Sequence, residues 1–352
     1  MDERQLLPFP YEFKPLDQSE QEEMNKFFDI FFQRCFRVGP NGYLVFEPYI
    51  NDAANIYNMP IKSNDIFVAS YQRSGTTLTQ ELVWLLVNNL DYTKAGEVML
   101  SQRYSFLDQF MYYGDEFTDR YVKALKKQGS TADEEQLKEL LRKWGQPATR
   151  VLATMASPRF IKTHLPMSLL NPTLIDTAKV VYVARDPRDV AVSCYHQSRL
   201  FKFMKFPDEN GFKCFWNIFR KNLFTLLPYF DHVKEAWNMR NHPNMLFLFY
   251  EEITKDLPAA IRRVAAFLGK ELNSEHIGPL LNHLNIDNMK KNPSINYEDI
   301  REYGFLAPGE TFIRKGKNGG WRDYFDEELS QQAEEWIEDN LRDTDLRFPS
   351  MQ

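Results

Sequence analysis

The sequence predicts an α/β fold: a single domain with a central parallel sheet flanked by helices, including one phosphate-binding strand–loop–helix that is P-loop-like. Three observations carry that prediction. Short apolar runs of strand length recur at residues 65–69, 160–164, 179–184 and 245–250, separated by segments with helical periodicity, the alternation that builds a parallel sheet with helices on both faces. The first run enters the loop Ser70-Tyr71-Gln72-Arg73-Ser74-Gly75-Thr76-Thr77 and then an apolar helical stretch over 78–88. A strand, a tight Gly/Ser/Thr loop and a helix present backbone N–H groups and a helix N-terminus to an anion. Finally, Arg73, His164, Arg185 and Tyr250 each fall at or just past the C-terminal end of a strand-like run. Ligands bind there in open parallel sheets, so one site is expected at that edge.

Taken in order, residues 1–60 mix aromatics and prolines and read as an irregular N-terminal wrap, with a helix possible over 18–37. Residues 95–113 are dense in Met, Leu, Phe and Tyr. Leu100, Tyr104, Leu107 and Met111 recur at i, i+4, i+7 and i+11, one face of a helix. Residues 115–146 read as a helical hairpin. Phe117, Tyr121 and Leu125 line up first, Gln128-Gly129-Ser130 breaks the pattern, and Thr131 with Glu134 forms a capping box for a second helix ending at Gly145. The run Val180-Val181-Tyr182-Val183-Ala184 reads as a buried strand ending at Arg185, and Pro187 suits the first turn of a helix to about Ser198. A further strand over 245–250, a helix over 259–268 stopped by Gly269, and an amphipathic helix over 326–341 complete the chain. No internal repeat or low-complexity segment is present.

A chain of 352 residues with 43% apolar content can bury a full core. Its net charge of −6 argues against general nucleic-acid or anionic-membrane binding, so any anionic ligand must be met by locally gathered cations. Three cysteines without paired spacing argue for a reducing compartment. The start Met1-Asp2-Glu3-Arg4 lacks a signal-peptide pattern, and no apolar run is long enough to span a bilayer. The expectation is a soluble cytoplasmic protein. The six histidines are scattered, and no metal-ligand spacing is visible.

The loop at 70–77 lacks both the first glycine and the lysine of a Walker motif, with Thr76 where that lysine belongs. It suits a phosphate but not the usual magnesium triphosphate, which counts against a kinase or other nucleoside-triphosphate-dependent protein. Far downstream lies a second basic motif, Phe312-Ile313-Arg314-Lys315-Gly316-Lys317-Asn318-Gly319-Gly320-Trp321. Between the two come Lys162-Thr163-His164-Leu165-Pro166, Arg185-Asp186-Pro187-Arg188-Asp189 with Ser193, and Tyr250-Glu251. In this joint order the motifs resemble the cytosolic sulfotransferases, over about residues 40–325. The surrounding sequence is most similar to the insect branch, near the lepidopteran retinol dehydratases.

The resemblance implies an enzyme that carries the sulfuryl group of PAPS to a hydroxyl of a small apolar alcohol or phenol, releasing PAP, without a metal. Arg73, Ser74, Gly75, Thr76, Thr77 and Leu78 would hold the nucleotide's 5′-phosphate. Arg185, Ser193, Arg314, Lys315 and Gly316 would hold its 3′-phosphate, with Tyr250 and Met289 on the adenine side. His164 would be the general base, and Lys162 and Arg73 would stabilise the charge that builds on transfer. Spacing alone puts Lys162 and His164 on one face of a strand, whereas a lone histidine or a run of basic residues in a turn has an equally ordinary structural reading. Arg73 replaces the family's usual lysine, and Arg stays protonated, so it stabilises charge without donating a proton. Tyr104 and Phe106, with His164, would face the acceptor. Trp84 reads as core. The connection over 115–146 is much longer than in typical vertebrate members, and an insert there could form a lid. Asp326-Glu327 stands where many vertebrate members carry the Thr-Val of a dimer motif. A retinol-dehydratase-like reading, in which sulfonation of an allylic alcohol is followed by elimination, is the alternative.

Overall fold

The computed structural model describes residues 6–27, 34–127, 129–202, 204–207 and 209–351. At its centre is a five-stranded sheet in which every pairing is parallel, in the spatial order β5 (Ser105–Phe106), β6 (Phe160–Thr163), β4 (Ile66–Ala69), β7 (Lys179–Ala184) and β8 (Met245–Phe249). A period of two along each strand sends alternate side chains to opposite faces. Phe67, Ala69, Ile161, Val180 and Tyr182 enter one apolar cluster, while Ile66, Val68, Phe160, Val181 and Val183 enter another. Both faces are therefore covered, which is why these strands read as continuous apolar runs. The helices Thr76–Val87 and Leu257–Leu268 contribute to the second cluster, and Pro187–Leu200, Gly211–Arg220 and Tyr229–Asn238 to the first.

Ahead of this core, β1 (Lys14–Pro15), β2 (Cys35–Val38) and β3 (Tyr43–Phe46) form a small antiparallel sheet. The segment before residue 60 is thus more regular than an irregular wrap. The helix expected over 18–37 is Gln18–Asn25, capped by Asp17, and residues 35–37 lie in β2; positions 28–33 of that expectation fall outside the described residues. The β2–β3 pairing wins because Cys35, Phe36 and Val38 are buried against the core.

The helical stripe at 95–113 is a second correction. The segment is broken into helices Tyr92–Glu97 and Leu100–Arg103, strand β5 and a 3₁₀ turn at Gln109–Tyr112. Ser105 and Phe106 pair with Ile161 and Lys162 of β6, and the Leu107 N–H donates to the Lys162 carbonyl at 2.8 Å. Satisfying the open edge of β6 outweighs the helical spacing. Leu100, Tyr104, Leu107 and Met111 are nonetheless all buried, so the pattern reported burial correctly and geometry wrongly.

The hairpin at 115–146 is present as helices Asp115–Lys127 and Glu134–Trp144. Its second helix is capped by Asp133, whose side chain accepts from the Gln136 N–H at 3.0 Å, and not by Thr131. Gly145 ends it as expected; Gln128 of the break lies outside the described residues. The remaining helices begin and end near their expected positions, with Gly269 in the left-handed conformation closing Leu257–Leu268 and Asp326 capping Glu327–Leu341. No helix among the described residues is long and apolar enough to cross a membrane.

Candidate functional site

The loop after β4 turns sharply into a helix N-terminus. Arg73 and Gly75 both have left-handed backbones, at φ +66° and +106°, and the helix Thr76–Val87 starts at once. Across the loop the hydroxyls of Ser70 and Thr76 lie 2.7 Å apart. Leucine-rich sequence after Thr77 buries the helix on the sheet, so its first turn is fixed and its free N–H groups face the strand ends. A Cβ at Gly75 would come within 2.4 Å of the Tyr250 ring. We expect Gly75→Ala to destabilise the fold by about 1–3 kcal/mol through backbone strain and this overlap; denaturant unfolding that matches the parent would show that the loop relaxes freely.

Two arginines tie this loop to the distant basic motif. Arg73 donates from Nε to Ser193 Oγ and from Nη2 to the Phe312 carbonyl, both at 3.0 Å, and its guanidinium lies 4.8 Å from the Phe312 ring centre. Arg185, at the end of β7, donates to the Arg73 carbonyl at 3.3 Å and the Lys317 carbonyl at 3.0 Å, and stacks 4.5 Å from the Tyr250 ring centre. Its buried Nε finds no acceptor among the described residues. Burial, with repulsion from Arg185 and Arg314, brings Arg73 down to about 10, so it remains charged at neutral pH. The landmark carboxylates are scaffolding: Asp189 accepts the Gly319 and Trp321 N–H groups at 2.7 and 3.0 Å, and Glu251 accepts the Asp186 N–H at 2.8 Å.

A second group of residues converges at the end of β6. His164 Nδ1 lies 2.8 Å from the Ser70 carbonyl oxygen. That oxygen only accepts, so Nδ1 carries the proton and Nε2 keeps its lone pair. The backbone of His164 is clamped on both sides, its N–H to Asp108 Oδ1 at 2.9 Å and its carbonyl to His232 Nε2 at 2.8 Å. Burial, then the charge of Lys162, pushes His164 well below the usual histidine range. Lys162 Nζ sits 3.9 Å from the centre of the Phe106 ring, which packs edge-on against His164. Burial lowers Lys162 as well, opposed by the carboxylate of Asp108.

Both groups open on one cavity of about 740 Å³. Its lining joins the loop, Arg185, Tyr250 and residues 313–317 to an aromatic set of Tyr104, Phe106, Tyr112, Tyr113, Trp144 and Tyr297. His164 and Lys162 lie on the same wall. Basic groups, apolar rings and a neutral imidazole on one cavity can bring an anionic donor to an apolar alcohol.

A family model for the sulfotransferase domain matches residues 63–345, which includes the whole five-stranded sheet. The protein belongs to the sulfotransferase family. Luciferin sulfotransferase of Photinus pyralis is 33% identical over 322 residues, covering 90% of this chain and 82% of the relative. A crystal structure of retinol dehydratase in complex with androsterone and inactive cofactor PAP superposes with a TM-score of 0.94 at 52% identity, covering 98% of this chain and 100% of that one. A second structure of retinol dehydratase, with retinol and PAP, gives 0.93 at 52% identity over 97% and 100% of the two chains.

Within this sulfotransferase, Arg73, Gly75, Thr76, Thr77 and Leu78 reach the cavity, as do Arg185, Ser193, Tyr250 and Met289. Arg314, Lys315 and Gly316 line it too, although Lys315 also pairs with Asp323 at 2.8 Å on the surface. Ser74 is buried and absent from the cavity lining, and its Oγ finds no hydrogen-bond partner among the described residues. At Gly316 (φ +62°) a Cβ would meet Ile286 at 2.5 Å. Tyr104 lines the cavity, and its hydroxyl donates to the Gln80 carbonyl at 2.8 Å. Trp84 is core, beneath the Arg103 guanidinium. Sequence reasoning passed over Asp108, Phe312 and Trp144. Asp108 is the lone acid in the aromatic run 104–113, a signal of a buried carboxylate that the helical reading obscured. No group of three or more His, Cys, Asp or Glu side chains that could hold a metal occurs among the described residues.

Proposed function

We propose that this sulfotransferase uses PAPS and transfers its sulfuryl group to the hydroxyl of an elongated apolar alcohol or phenol, leaving PAP. The observation that carries the reading is His164, neutral, with Nδ1 committed to Ser70 and Nε2 left to accept a proton on a cavity shared with the phosphate loop. The residues present fit the nucleotide. The first turn of the Thr76–Val87 helix would meet the 5′-phosphate, and Arg185, Ser193 and Arg314 would meet the 3′-phosphate, with the Arg73 guanidinium held at Ser193 and the Phe312 carbonyl beside them. PAPS supplies the activated sulfuryl group. His164 removes the acceptor proton, and Lys162 with Arg73 offsets the negative charge that accumulates on the transferring oxygens. In-line group transfer of this kind rests on positioning and electrostatics, and fixed cations can serve it. Cys194 and Cys214 form no disulfide, which supports a cytoplasmic setting.

Incubation with PAPS and, in turn, a phenol, a steroid alcohol and a retinoid, with product masses recorded, tests this function. Sulfate esters of at least one acceptor are expected. Absence of both sulfated and dehydrated products across the panel would refute it. A dehydrated product from the retinoid would instead favour sulfonation followed by elimination, a reading supported by the 52% identity to retinol dehydratase.

The hairpin closes the aromatic end. Leu140, Lys143 and Trp144 line the cavity, Trp144 packs 5.0 Å from Phe305, and Ser130 donates to the Tyr303 carbonyl at 3.3 Å. We read it as a lid that excludes water from a long acceptor. Trp144→Ala removes apolar contact worth about 1.5–3 kcal/mol. KM for a retinoid should rise ~10-fold or more, while KM for a small phenol and PAP affinity stay near the parent's. Equal effects on both acceptors would remove the lid's role in acceptor size.

A further inference from the structure

Asp108 is fully buried at the point where β5 leaves the sheet edge. Its Oδ1 accepts from Thr163 Oγ1 at 2.8 Å and from the His164 N–H at 2.9 Å. Thr163 Oγ1 in turn accepts from the Leu165 N–H at 3.1 Å, so one carboxylate oxygen fixes the turn that aims His164. The other, Oδ2, is buried and finds no donor among the described residues. A buried carboxylate held by neutral donors alone is costly unless a cation answers it. The β5–β6 pairing brings Lys162 to this carboxylate, with Phe106 in register with Lys162 and the Leu107 N–H donating to the Lys162 carbonyl at 2.8 Å, and its ammonium is the cation in the carboxylate's field.

We propose that Asp108 is a positioning residue for sulfuryl transfer: its first oxygen orients His164, and its charge keeps the buried Lys162 protonated. This rests on the roles assigned above to Lys162 and His164.

The surroundings make the charge matter. Lys162 stands on the face of Phe106 and is otherwise opposed by Arg73, with neutral His164 beside it. Tyr49 and Tyr112, on the far side of Asp108, are both pushed up in part by its charge and stay neutral. Among the described residues Asp108 is thus the one anion whose charge reaches Lys162. Burial raises the carboxyl of Asp108, while its hydrogen bonds and Lys162 draw it back down. The sign follows. Burial disfavours the ammonium and Asp108 favours it, so neutralising Asp108 lowers the Lys162 pKa further. Lys162 is then lost as a cation at lower pH, and the alkaline limb of the rate profile moves toward acid.

Asp108→Asn keeps an oxygen for Thr163 and His164 and removes only the charge. The alkaline limb of kcat is expected to move down by about 1 pH unit or more, with kcat at pH 8 falling ~10-fold and PAP affinity at pH 6.5 unchanged. Asp108→Asn/Lys162→Arg, whose guanidinium stays protonated, should show no such displacement relative to Lys162→Arg alone. A parental pH profile in Asp108→Asn, or an equal loss at every pH, would overturn the proposal. Should Asp108→Asn not fold, the Lys162 ammonium resonance of the parent, followed by NMR as the carboxyl is titrated, decides the same point: an inflection in the carboxyl's range is expected, and a resonance without one would overturn it. Full activity in Lys162→Ala would instead sink the underlying role of Lys162, so the two failures are told apart.

Discussion

Replacing His164 by alanine should lower kcat ~100- to 10,000-fold while leaving PAP affinity within about 2-fold of the parent. In the proposed mechanism the imidazole takes the acceptor proton, and none of the loop and arginine residues proposed to hold the phosphates acts through it. Its low pKa keeps it neutral from physiological pH down through the ordinary histidine range, because burial and Lys162 both disfavour the imidazolium. The parent's activity should therefore show no acid limb near pH 6.5 arising from this residue. Single-turnover kinetics with PAPS and a phenol measures the effect. A variant that retains near-parental kcat would remove His164 from the chemistry.

The second large effect is expected at two arginines lining the same cavity. Arg185→Ala and Arg314→Ala should each weaken PAP binding by about 1.5–3 kcal/mol, the worth of a charge-assisted hydrogen bond, or ~10- to 150-fold. An analogue without the 3′-phosphate should lose far less. Arg185 is the sharper case, since it also bridges the Arg73 and Lys317 carbonyls. Calorimetry with both nucleotides separates reading of the phosphate from loss of the bridge: equal weakening for the two would show that Arg185 only braces the loop.

Much of this architecture is legible in the chain because strands buried on both faces leave unbroken apolar runs. Residues 179–184 and 245–249 are such runs, and the residues that follow them, Arg185 and Tyr250, stand at the site. The strand–turn–helix after β4 was legible because Gly75 and its flanking hydroxyls mark a tight turn into a helix. The region 95–113 was misread for a physical reason. Its apolar spacing satisfies a helix, and only the unpaired edge of β6, distant in sequence, makes β5 a strand. The same error hid Asp108, whose partners Thr163 and His164 lie far along the chain. Local capping was similarly ambiguous at the hairpin, where Thr131 and Asp133 are both competent caps and the helix start selects Asp133.

The state of His164 is the most direct test of the chemistry. Nitrogen NMR of the protein labelled in its histidine rings, with His164 assigned by its loss in His164→Gln, reports which ring nitrogen carries the proton and at what pH a second one binds. The geometry predicts a neutral ring at pH 7, protonated at Nδ1 toward Ser70 with Nε2 bare, and no titration until well below pH 6.5. A ring protonated at Nε2, or an imidazolium at pH 7, would contradict a base poised on the acceptor.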